Sequence, residues 1–113
     1  MKTNINKVEL LGFAGKDAEV REIKDGVKLA RFSLATTEGY QTKTGEWINS
    51  TTWHQITLWN ANAEKAAELV KKGLQVSLTG KIKNRTYETS TGEKKYVTEI
   101  EARELEIIPK DEK

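Results

Sequence analysis

Trp53 and Trp59 sit six residues apart in the run Thr51-Thr52-Trp53-His54-Gln55-Ile56-Thr57-Leu58-Trp59. Side chains alternate between the faces of a strand. Ile56 and Leu58 therefore share one face with His54, and Trp53, Gln55, Thr57 and Trp59 share the other. Large rings on an otherwise polar face mark a binding surface rather than a core. Flat π-faces flanked by hydroxyls and cations suit unpaired nucleobases, each of which contributes roughly 1–3 kcal/mol on stacking.

Tyr40, Trp47 and Tyr87 extend the set of candidate platforms, although Trp47 would equally cover a loop and Tyr87 would equally pack on a neighbouring strand. Phosphates need cations at their own spacing, and binding them releases condensed counterions. Arg21, Arg31, Lys43, Lys72, Lys81, Lys83 and Arg85 are the candidate contacts. No dense set of base-edge readers accompanies them, so little sequence preference is expected.

The formal net charge of +2 is small for a polyanion binder, but it is unevenly distributed. Residues 99–113 hold six acids against three bases, a net of −3, which leaves +5 for the rest of the chain. Between Lys71 and Lys95 there are seven cations and only two acids, Glu88 and Glu93. Such a basic strip is the footprint expected for a nucleic acid, or else a solvated sheet face.

Other chemistries lack parts. The chain has no cysteine, which removes disulfides, thiolate metal sites and cysteine nucleophiles together. Its one histidine, His54, lies on the inward parity and reads as a buried or subunit-contact side chain. One histidine builds no metal site alone. With no Gly-x-Ser-x-Gly or phosphate-loop signature, no enzyme and no cofactor are expected. Glu99 and Glu101 share a strand face and read as solvated charges. At 113 residues, 36% hydrophobic and 32% charged, the chain fits one soluble domain. It has neither an apolar leader nor a membrane-spanning run, so the expected compartment is the cytoplasm, with no membrane partner.

The elements that position these residues read as strand, strand, strand, helix, strand, strand. The first runs from Asn4 to Phe13 with Val8 and Leu10 inward, and a short extension over 18–23 ends at the Asp25-Gly26 turn. The second, from Val27 to Thr36, turns Ala30, Phe32 and Leu34 inward, and the third closes at Trp59. A helix over 60–73 is capped by Asn60 or Asn62, carries Lys71 and Lys72 in its last turn and stops at Gly73. The fourth strand, 75–83, points Val76, Leu78 and Ile82 inward. The fifth, roughly 95–107, does so with Ile100 and Ala102, and Pro109 ends the ladder. Residues 37–49 and 84–94 read as two long functional loops. Five strands with one helix between the third and fourth form the oligonucleotide/oligosaccharide-binding (OB-fold) barrel, an all-β class. The interior of so small a barrel is filled by side chains, which leaves no room for the two tryptophans.

The segments Asn6-Lys7-Val8-x-Leu10, Gly12-x-x-Gly15-x-Asp17-x-Glu19-Val20-Arg21, Phe32-Ser33-Leu34-Ala35-Thr36, Thr52-Trp53-His54, Ala66-x-x-Leu69-x-Lys71-Lys72-Gly73 and Val76-x-Leu78-x-Gly80 together resemble the bacterial single-stranded DNA-binding proteins of the replication type. The resemblance covers nearly the whole chain. It implies sequence-independent coating of single-stranded DNA in replication, recombination or repair, with Tyr40, Trp53, Trp59 and Tyr87 stacking on bases. It implies basic contacts from Arg21, Lys43, Lys71, Lys72, Lys83 and Arg85. It also implies a subunit interface at His54, with Asn6 and Val8 in the opening segment assigned to the same interface, and a homotetramer, or a dimer. Residues 1–108 form the binding domain and 109–113 a short charged end. Family members usually continue into an acidic recruiting tail, which the residues after Pro109 do not match, so the resemblance implies DNA coating and does not carry tail-mediated partners over. The alternatives are a primosomal accessory or RNA-binding barrel of the same fold, and a module that binds protein or carbohydrate.

Overall fold

The computed structural model describes residues 4–109. The charged end beyond Pro109 lies outside the described residues. Six strands and one helix follow in the order β1 (Val8–Ala14), β2 (Glu19–Lys24), β3 (Val27–Gln41), β4 (Trp47–Trp59), α1 (Ala61–Leu69), β5 (Gln75–Glu88) and β6 (Lys94–Ile108). The sheet order is β1-β5-β6-β4-β3-β2, and a further pairing of β1 with β3 closes five of the strands into a barrel. β2 stays outside as an extra edge paired with β3. This is the expected OB-fold, with its helix between β4 and β5.

Closure depends on Gly12. A Cβ at that position would stand 2.2 Å from the carbonyl oxygen of Ala35, so only a residue without one lets β1 cross from β5 to β3. Inside, Phe32, Leu34, Ile56, Leu58 and Val76 are fully buried, and α1 closes one end with Ala63, Ala66 and the following Val70. Each large aliphatic or aromatic side chain removed from water this way contributes roughly 1.5–3 kcal/mol.

Several boundaries depart from the sequence reading. The first strand begins at Val8 rather than Asn4. The two supposed loops are strand for most of their length. β3 and β4 stay in register out to Gln41 and Trp47, and β5 and β6 out to Glu88 and Lys94. Only the tips turn, and both tips spell Thr-x-Thr-Gly-Glu. In each, the Thr amide donates to the Glu carbonyl at 2.8 Å and the Glu amide to the Thr hydroxyl at 3.2 Å. The tips thus satisfy their own polar groups, and threonine, tyrosine and glutamate build arms where they suggested loops.

The helix stops at Leu69, three residues before Lys72, so Lys71 and Lys72 lie beyond its last turn. Asn60 does not cap it. Its Oδ1 accepts from the Lys28 amide at 3.1 Å, and its own amide donates to the Lys28 carbonyl, which ties the helix start to β3. Ile82 is 47% exposed in spite of its inward parity and its register with the buried Ile100, because it lies two residues beyond Gly80, where the pairing of β5 with β1 ends.

Candidate nucleic-acid interface

The strand register determines which side chains share the outer face. On β4, Trp53 stands opposite Ala35, Trp59 opposite Leu29 and Trp47 opposite Gln41. All three indoles are turned to solvent, with Trp53 58% and Trp59 41% exposed. They lie on one face, Trp53 and Trp59 roughly 20 Å apart along the strand. Trp53 rests on Gly15, where a Cβ would come within 2.6 Å of Trp53 Cζ3. Thr57, between the tryptophans, is buried, because β6 runs parallel beside β4 at that point and its Ile100 carbonyl accepts from the Thr57 hydroxyl at 3.5 Å. The polar parity of the strand hid this local cover.

Pairing continues the face across the sheet. Arg21, Leu29 and Trp59 form one transverse row. Glu19, Arg31, Thr57, Glu101 and Lys81 form the next. A groove lined by Lys16, Glu19, Arg21, Ile23, Leu29 and Arg31 meets a second one lined by Thr57, Trp59, Lys83, Asn84, Arg85, Glu99 and Glu101, and the two share Leu29 and Arg31. Their union is a trough with Arg21 at one end, Arg85 at the other and the Trp59 indole between them.

The β6 acids are not the plain solvated charges that their position suggested. Glu99 is 8% exposed and accepts from Arg85 Nε at 3.3 Å and Nη2 at 3.0 Å. That hydrogen bond is the largest influence raising the Arg85 pKa above the ordinary arginine value. Arg85 Cζ in turn lies 5.8 Å from the centre of the Tyr87 ring, within cation–π range. Glu101 is shared by Lys81 at 3.8 Å and Lys83 at 3.7 Å. Three of the candidate phosphate contacts therefore carry an intramolecular counter-charge, whereas no ion pair engages Arg21 or Arg31 among the described residues.

Other candidates are separated from this face. Tyr40 pairs with Ile48 and so lies on the opposite face of the β3–β4 arm from Trp47. Lys43 occupies the tip of that arm. Lys71 and Lys72 lie in the segment hydrogen-bonded to residues 14–18, through Gly73 to Ala14, Val70 to Ala18 and the Lys72 amide to Asp17 Oδ1. Asn6 uses its amide within the chain, donating to the Ile82 carbonyl at 2.8 Å and accepting from the Ile82 amide at 2.9 Å. Val8 is half-buried opposite Gly80, and His54 Nε2 is hydrogen-bonded to the Thr36 hydroxyl at 2.9 Å. Two features went unread in the sequence: Lys16, which lines the trough, and Phe13, which is 53% exposed. The outward parity of Phe13 relative to Val8 and Leu10 was the available signal.

Residues 5–108 match the family model described as the single-strand binding protein family. The chain belongs to that family. Single-stranded DNA-binding protein 1 of Chlorobaculum tepidum is 37% identical over 109 residues, which cover 96% of this chain and 67% of that protein. The Xylella fastidiosa protein of the same description is 34% identical, covering 95% of this chain and 79% of its own. Among solved structures, a Plasmodium falciparum SSB in complex with single-stranded DNA superposes with a TM-score of 0.84 at 28% identity, over 96% of this chain and 99% of that one. Family membership thus spans all six strands and the helix, with the trough and all three exposed indoles inside the matched region.

Proposed function

We propose that this protein binds and protects single-stranded DNA without sequence preference, as a binding protein and not an enzyme. The observation that carries this reading is the placement of Trp53 and Trp59 on one solvent-facing strand face, beside a trough bearing Arg21, Arg31, Lys83 and Arg85. Each indole offers a π-face that any base can cover, and the cations meet the backbone that every sequence shares. The names of its relatives, and the single-stranded DNA in the Plasmodium complex, support the same ligand. Replication, recombination and repair are the processes that expose such strands, and the cytoplasm is where we expect the protein to act.

The binding unit is residues 1–108, with Tyr40, Trp47, Trp53, Trp59 and Tyr87 as stacking platforms. Arg21, Arg31, Lys43, Lys71, Lys72, Lys81, Lys83 and Arg85 are its phosphate contacts. We infer further that it works as a homotetramer, or a dimer. Among the described residues β1 pairs with β5 along Val8–Gly12, and β3 meets it only at Phe13 and Ala14. The other edge of Val8–Leu11 has no paired strand among the described residues and offers a template for a second copy, near Asn6 and Val8.

Anisotropy of a labelled oligo-dT, measured beside the duplex of equal length and the matching RNA, tests the reading. Tight binding of the single-stranded DNA with weak duplex binding is expected. Equal affinity for the duplex would overturn it, and preference for the RNA would favour the RNA-binding barrel.

A further inference from the structure

We propose that Phe13 is an additional base-stacking platform, working as a pair with Trp53. The proposal rests on the single-stranded DNA reading above and extends it to a residue on another strand. Phe13 on β1 is in register with Ala35 on β3, and Ala35 is in register with Trp53 on β4. The two side chains therefore leave the same face of the sheet, from backbones two strands or about 10 Å apart. Only the Ala35 methyl stands between them in that row, and Gly15 underlies the indole. The Trp53 indole reaches across β3 to Gly15, two residues along the chain from Phe13, so the two rings form neighbouring parts of one solvent-facing aromatic surface.

Phe13 is 53% exposed, and with Trp53 at 58% it puts two large rings on one solvent-facing patch, the kind of surface that marks a binding site. Its surroundings favour a nucleobase. The chain continues from Phe13 into Ala14–Ala18, which is hydrogen-bonded to the segment carrying Lys71 and Lys72. Phe13 thus lies between the Trp53 platform and two cations outside the trough. A strand leaving Trp53 in that direction would find a second π-face and then positive charge. This would explain how Lys71 and Lys72, which line neither groove, come to share a ligand with the trough.

The test uses the purified full chain. A 5-iodouracil-substituted oligo-dT, irradiated in complex with the unaltered protein, should cross-link to the peptide containing Phe13, as identified by mass spectrometry. Phe13→Ala should weaken oligo-dT binding about five- to one-hundred-fold, the range set by losing one stacked base. Phe13→Tyr should restore it, and the salt dependence should not change, because no phosphate contact is lost. Circular dichroism and light scattering of each variant report fold and assembly. Unchanged affinity with no cross-link at Phe13 would overturn the proposal. So would a change of subunit number with unchanged affinity, since it would mean that a second copy covers the ring. If the unaltered protein fails to bind oligo-dT, the single-stranded DNA reading itself fails. If it binds and only Phe13 is silent, this proposal alone falls.

Discussion

Arg85 grips Glu99 with two hydrogen bonds, Nε to Oε1 at 3.3 Å and Nη2 to Oε2 at 3.0 Å, across the β5–β6 pair at the rim of the trough. The pair holds Arg85 at the ring of Tyr87 and compensates a carboxylate that is nearly removed from water. Truncating Arg85→Ala leaves that carboxylate without its partner. Allowing for the partial exposure of the arginine, the loss should be about 1–2 kcal/mol, read as a lower denaturant midpoint with an unchanged slope. Oligo-dT affinity should fall as well.

Glu101 is predicted to restrain binding. It lies within 4.0 Å of both Lys81 and Lys83 at 3.8 and 3.7 Å, so DNA must displace a counter-charge that the protein itself supplies. Glu101→Gln should tighten oligo-dT binding at low salt and steepen the log–log salt dependence by up to about one phosphate contact. Titrations at several salt concentrations check this.

Gly15 supports the Trp53 ring. A methyl at that position would meet the far edge of the indole at 2.6 Å, and the ring has solvent to move into. Gly15→Ala should therefore cost less than about 1 kcal/mol of stability yet re-aim the platform. The expected signature is a near-native melting temperature with weakened oligo-dT binding.

The helix is latched to the barrel by an exposed ion pair. Lys28 Nζ donates to Glu64, and this bond, aided by Coulomb attraction, raises the lysine pKa above its ordinary 10.5. A pKa raised on folding contributes stability that is complete below the ordinary lysine range and is lost as pH climbs through the folded-state value. As pH rises above the ordinary lysine value of 10.5, the stability of the unaltered protein should fall more steeply than that of Lys28→Met, and added salt should shrink the difference.

Much of this architecture was legible in the chain. Alternation set Ala30, Phe32, Leu34, Ile56 and Leu58 inward and both tryptophans outward, because a period of two survives any uncertainty about strand ends. The arms were missed because Thr37–Asn49 and Asn84–Lys94 lack an apolar face, and pairing with each other is a tertiary fact that composition does not carry. Tyr40 is legible as an aromatic on an arm, and that it shares a face with Ile48 rather than with Trp47 follows from the β3–β4 register. Glu99 looked like a surface charge because its partner Arg85 is distant in sequence and adjacent only through the β5–β6 register.

The central claim is that Trp53 and Trp59 meet bases directly, and intrinsic tryptophan fluorescence during titration with oligo-dT at low salt tests it most directly. The account predicts strong saturable quenching that reverses on adding salt. It also predicts that Trp53→Ala, while folding normally, shows reduced quenching and affinity lowered about five- to one-hundred-fold. Saturable binding with the tryptophan emission unchanged, or a Trp53→Ala protein that binds as well as the unaltered one, would contradict it.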